Sequence, residues 1–189
     1  MILSNFNPLI NLSAKSQKTI LWIFALSTLF LFIAISILDS PLKTASSPNG
    51  IVSLELAGNF NKTQEILSAW NHQARLSSIQ SLVVDYLFLI SYSFFFAFLI
   101  FWSSKNFISK KKWLVSLGII LGWLQFAAAI LDSFENYFLL RLLFGSQNES
   151  FSSLAFYCAS VKFLLIFLGI VYIIFSLFSH FIVSRARLK

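Results

Sequence analysis

Four long apolar runs limit what this chain can fold into. They are "ILWIFALSTLFLFIAISIL" (20–38), "LVVDYLFLISYSFFFAFLIFW" (82–102), a third run starting "WLVSLGIILGWLQFAAAIL" at Trp113, and "VKFLLIFLGIVYIIFSLFSHFIV" (161–183). Each is near the ~20 residues that an α-helix needs to cross the hydrocarbon of a bilayer. Composition agrees: 11% of residues are charged, 58% are hydrophobic, and the mean hydropathy is +0.81. A soluble domain has roughly 25% charged residues. The expectation is an all-α integral membrane protein, a four-transmembrane-helix antiparallel bundle forming a single domain over 1–189. The spans fall at 20–38, 82–102, 113–132 and 161–183. The first run is longer than the ~7–15 apolar residues of a signal peptide and has no clear A-x-A site after it, so it reads as a span.

Charge sets the expected orientation. Lys15 and Lys18 precede the first span. Lys105, Lys110, Lys111 and Lys112 lie between the second and third, and Arg185, Arg187 and Lys189 follow the fourth. The opposite side has the sparser set Lys43, Lys62, Arg75, Arg141 and Lys162. The positive-inside rule then puts both termini in the cytoplasm. The net charge of +7 is accounted for by this topology, so no nucleic-acid partner is expected. The basic loop 105–113 reads as a topology signal in contact with anionic lipid.

The acids define a second layer. Asp132 lies nineteen residues after Trp113, a rise of roughly 28 Å. Asp39, Asp85 and Lys162 count to the same outer boundary, and none of the seven acids falls on the cytoplasmic side. The third span continues to 144 through "SFENYFLLRLLF", with Gly145 as a helix stop, and "ESFSSLAFYCAS" (149–160) leads into the fourth. This predicts a helical hairpin rising into an outer helical layer. The first outer loop (40–81) is too long to be bare, and its imperfect apolar stripe predicts an amphipathic helix over 63–81 with Thr63 as N-cap. "IVSLELA" (51–57) fits either strand or helix.

Along the third span Gly118, Gly122, Gln125, Ala129, Asp132 and Asn136 recur every three or four residues. Such a small-and-polar stripe lets helices approach closely, making Gly118 and Gly122 helix-packing residues and Gln125 a deep polar group. At its top stand Asp132, Glu135 and Asn136, with Asp85, Arg141 and Lys162 expected at similar height. Charge at this depth is costly and demands pairing. The alternatives are a closed ion-pair network or a polar pocket lined by Tyr86, Tyr92 and Tyr137.

Several function classes lack support. The single cysteine, Cys158, forms no internal disulfide and excludes thiol-oxidising four-span enzymes, which need paired cysteines. No nucleophile-elbow, P-loop or dinucleotide pattern occurs, and no cofactor is expected. His72, the one outer histidine, lacks metal-ligand spacing, so no metal site is predicted. No ionisable residue falls in mid-bilayer, which disfavours ion-coupled transport.

The blocks "LELAG", "EILSAW", "DYLFLISY" and "LDSFENYFLL" resemble recurring blocks in a group of small four-span bacterial inner-membrane proteins that has no established activity. The resemblance spans about two-thirds of the chain, from the first outer loop to the third-span extension. It implies that Glu55, Trp70, Asp85, Tyr86, Asp132, Glu135 and Asn136 belong to one constellation. The leading functional expectation is non-catalytic binding of a lipid, small ligand or protein partner at an outer acidic-aromatic pocket. The alternatives are an enzyme acting on a lipid-linked substrate, with Asp132 or Glu135 as general base, and a structural subunit or homo-oligomer joined through "GIILG" (118–122).

Overall fold

The structure, a computed structural model, describes residues 6–9, 11–107 and 112–186. Lys110, Lys111, Arg187 and Lys189, used above for orientation, lie outside the described residues. Six α-helices follow one another: α1 (Ala14–Asp39), α2 (Ile51–Glu55), α3 (Phe60–Ala69), α4 (His72–Ser104), α5 (Lys112–Leu143) and α6 (Ser150–Ala186). Short 3-10 turns occupy Ser40–Leu42 and Lys105–Phe107. No strand occurs among the described residues. Among the described residues four helices, α1, α4, α5 and α6, are long and apolar enough to cross a membrane.

Local chemistry explains the boundaries. Ser13 accepts a hydrogen bond from the Ser16 N–H and starts α1, while Pro41 enters the turn that ends it. α5 stops at Gly145, whose φ of 88° few side chains tolerate. There the Ser146 N–H reaches the Arg141 carbonyl and the Gly145 N–H reaches Leu142, both at 3.0 Å, the paired geometry of a Schellman stop. α6 runs unbroken through the region expected to be a lead-in and the region expected to be a span.

The expected amphipathic helix over 63–81 is two helices. α3 begins earlier, capped by Asn59 rather than Thr63, and ends at Ala69. Trp70 leaves helical geometry with ψ 120°, and Asn71 then caps α4 by accepting from the Ala74 N–H. The apolar stripe hid this break, because the residues on either side still face one core. Trp70 is drawn out of the helix to bury its ring and donate its indole N–H to the Leu42 carbonyl at 2.9 Å and the Ser47 hydroxyl at 3.0 Å. Arg75 seals the frayed end of α3, donating to the Leu67 carbonyl at 2.7 Å. The stretch that fitted either strand or helix is α2, a single helical turn and a half entered through Gly50 at φ 58°.

α4 is the central element and packs on α1, α5 and α6; α5 also packs along α6. The directions are opposed. Ser104 and Phe101 of α4 meet Gly118 and Gly122 of α5 at one end, and Asp85 meets Asn136 at the other. Likewise Tyr172 of α6 donates to the Leu114 carbonyl at 2.9 Å, while Lys162 meets Asp132. One apolar cluster, including Ile100, Phe101, Leu114 and Ile119, fills the first end. A second, including Leu42, Leu54, Ile66, Trp70, Leu139 and Leu142, joins α2 and α3 to the far ends of α4, α5 and α6.

The close approach of α4, α5 and α6 requires glycine. A β-carbon at Gly118 would overlap the Tyr172 hydroxyl and crowd Ser104, and one at Gly122 would overlap the Phe101 ring. The "GIILG" stripe is therefore occupied inside the chain. Gly118→Leu and Gly122→Leu are expected to lower stability by at least about 1–3 kcal/mol each, the usual cost of overpacking. A thermal-unfolding midpoint in mild detergent that stays put for both would contradict this packing.

Candidate functional site

The polar cluster sits between the two apolar clusters, where α5 and α6 are joined by the loop helix α2. Three positions of α5, Asp132, Glu135 and Asn136, share one face because they are three or four residues apart. α6 brings Lys162 against them, and α2 brings Glu55 from the loop. The Lys162 Nζ lies 2.6 Å from Asp132 Oδ1, 2.9 and 2.8 Å from the two Glu135 oxygens, and 3.6 Å from Glu55 Oε2. All four side chains are buried, and Glu135 has no exposure at all.

Lys162 is thus enclosed by acids. An ammonium has three N–H bonds; two are directed at Asp132 and Glu135, and the remaining one has Glu55 in front of it. Tyr92 completes Asp132 by donating its hydroxyl to Oδ2 at 2.9 Å. Asp85 receives the Asn136 amide at 2.6 Å. Glu55 Oε2 is buried with no hydrogen-bond partner within ordinary distance. Burial pushes the Glu55 carboxyl above its ordinary value of 4.5, opposed by Lys162 and reinforced by Asp132.

A cavity of about 310 Å³ adjoins this cluster. That volume lies at the lower end of ligand-pocket sizes. Glu55, Asp85, Asp132 and Lys162, with Ser81 and Tyr92, form its polar wall. Its other walls are apolar: Phe32 and Ile35 of α1, Phe88 and Phe96 of α4, Phe163 and Ile166 of α6. The choice between closed network and open pocket therefore has a divided answer. The ion pairs on Lys162 are closed, and a cavity opens beside them.

Other candidates lie elsewhere. Arg141 is exposed and takes no part in the network, so Lys162 is the cation that the carboxylates share. Trp70 holds the loop layer together away from the acids. Tyr86 touches the periphery, donating to the Ser133 carbonyl at 3.3 Å, and Tyr137 is 49% exposed. Asp39 accepts the Ile51 N–H at 2.6 Å and so fixes the start of α2. Gln125 is deep and fully buried, bonded to the Leu121 and Leu165 carbonyls at 3.2 and 3.1 Å, and does not border the cavity. His72 is exposed at the start of α4. Among the described residues, no three His, Cys, Asp or Glu side chains are grouped to hold a metal ion.

Reasoning from sequence missed the apolar walls. Tyr92, expected at the pocket, does line it. Phe32 and Ile35 had no signal, because α1 is apolar on every side. Comparison with known protein families, curated proteins and solved structures finds no match to this chain.

Removing Lys162 leaves three buried carboxyl groups without their cation. Lys162→Met is expected to destabilise the fold by about 3–5 kcal/mol, the scale for breaking a buried ion pair. Arg141→Ala, at an exposed position, should stay within about 0.5 kcal/mol of the parent. Equal unfolding midpoints for the two variants would contradict the assignment of Lys162 as the shared counter-ion.

Proposed function

We propose that this is a multi-pass integral membrane protein, a four-helix bundle that binds a lipid-like amphiphile in the cavity beside Lys162. The observation that carries this reading is the division of that cavity. One wall is carboxyl groups and an ammonium, and the remaining walls are aromatic and aliphatic side chains from three helices long enough to span a bilayer. Such a space matches a molecule with a polar head and an apolar tail. The head would lie at the outer boundary and the tail between α1 and α6, both of which flank α4.

Catalysis by Asp132 or Glu135 is the weaker reading. Asp132 has Lys162 on one oxygen and Tyr92 on the other, and both Glu135 oxygens lie against Lys162. A general base needs an oxygen within reach of the substrate proton. The subunit reading loses its main support because Gly118 and Gly122 pack inside the chain.

Two measurements test the proposal. Native mass spectrometry of protein purified in mild detergent should show an amphiphile adduct. It should be lost in Ile166→Trp, which fills the apolar half of the cavity, and weakened in Asp132→Asn and Glu135→Gln. An adduct that survives all three substitutions would mean that ligands bind elsewhere. The proposed orientation, with both termini cytoplasmic in a bacterial inner membrane, rests on the Lys and Arg distribution and on the resemblance. A C-terminal alkaline phosphatase fusion should be inactive; activity would reverse the topology.

A further inference from the structure

We infer that the head group taken by this cavity is an amine, bound as an ammonium by Glu55 and Asp85, and that anionic heads are rejected. The inference rests on the amphiphile reading above and adds the chemistry of the head. Three carboxyl groups, Glu55, Asp132 and Glu135, lie against one lysine, and a fourth, Asp85, lines the same cavity. Lys162 donates to Asp132 and Glu135 and has the Glu55 carboxyl 3.6 Å away on its remaining side, so an anion approaching the lysine meets carboxyl groups around it. The charged part of the wall therefore presents chiefly carboxyl acceptors and negative charge, with the Ser81 hydroxyl as a neutral group beside them.

Glu55 is the independent sign of a missing partner. It is only 7% exposed, it lines the cavity, and its Oε2 is buried without a hydrogen bond. Such a group normally has a partner. Lys162 stands 3.6 Å from it, beyond hydrogen-bond distance. Asp85 lines the same space and receives one amide hydrogen bond, on Oδ2. An ammonium placed between Glu55 and Asp85 would satisfy both and balance the excess of acid. A phosphate there would face carboxylates on α2, α4 and α5 and find its one cation already paired.

Binding is also expected to depend on pH. Burial pushes the Glu55 carboxyl above its ordinary value, and a nearby ammonium opposes that shift as Lys162 does. The groups facing Glu55 are Lys162 on α6, Asp132 and Glu135 on α5, and Asp85 on α4. An ammonium beside Glu55 favours the ionised carboxyl, which couples amine binding to loss of the Glu55 proton. Amine affinity therefore rises with pH through the Glu55 titration, while the affinity for an alcohol of equal chain length does not.

The test uses probes matched in tail: dodecylamine, dodecanol and dodecyl phosphate, titrated against the full chain in mild non-ionic detergent by native mass spectrometry. Dodecylamine is expected to bind at least about tenfold more tightly than either of the others, the scale of one charge-assisted hydrogen bond. Glu55→Gln and Asp85→Asn should each bring the amine-to-alcohol ratio towards one and flatten its pH dependence. Their unfolding midpoints are measured in parallel, and the ratio is read only within each folded variant, so lost stability cannot imitate lost selectivity. Phosphatidylethanolamine and phosphatidylglycerol with the same acyl chains form a second arm. A preference for the former identifies a membrane lipid as the source of the amine, and no preference between them points to a free long-chain amine. If the three dodecyl probes bind equally, or the phosphate binds best, the amine inference is overturned and the amphiphile cavity stands. If no probe binds and no adduct is found, both fall.

Discussion

The arrangement depends on one buried ammonium. Taking a lysine head out of water costs several kcal/mol, and only close, well-directed carboxylates compensate for that loss. Lys162 meets this condition with groups from two other elements, Asp132 and Glu135 on α5 and Glu55 on α2. The pairing therefore fixes the register of α6 against α5 and places the short loop helix over the ends of both. Tyr92 extends the same constraint to α4 through Asp132. Every helix near the site except α1 is tied, directly or through one intermediate, to a single nitrogen atom.

The loop layer follows from this constraint. α2 is one and a half turns long and would not persist alone, since isolated short helices are marginal in water. It is held at its start by Asp39, on its inner face by Leu54 in the apolar cluster, and at its end by the Glu55 approach to Lys162. Trp70 supports the same layer from beneath through Leu42 and Ser47. A polar cluster thus lies between two apolar ones, and the cavity is the space left where the polar cluster meets α1.

Much of the coarse architecture is legible in the sequence, for a physical reason. Twenty-odd continuous apolar residues admit few structures, and counting depth at 1.5 Å per residue places Asp132 and Lys162 at one level. The break at Trp70 and Asn71 was not legible, because the apolar period continues across it and only the tertiary partners of the indole reveal the turn. Arg141 was misplaced for a related reason. It lies nine residues beyond Asp132 on the same helix, and height counting by itself does not tell which face a long side chain takes. Glu55 entered through block resemblance; nothing local to "IVSLELA" indicates that it reaches a lysine more than a hundred residues away. The aromatic walls were hidden because lipid-facing and cavity-facing phenylalanines have the same local pattern.

α1 differs from the other three long helices in having no buried residue. It is held to α4 by Ser27 and Thr28 against the Ser91 hydroxyl and by Phe24 stacked on Phe94 at 4.9 Å, and to the loop by Asp39. Information is therefore spread unevenly along this chain. In α5 a single methylene at Gly118 or Gly122 has no room, whereas most of α1 has only to remain apolar. Constraint in α1 is concentrated in its small hydroxyls and its last residue. α1, which brings Phe32 and Ile35 to the cavity, is thus the long helix whose sequence is least restricted by packing, so that side of the cavity can change shape while the ion-paired side is held fixed.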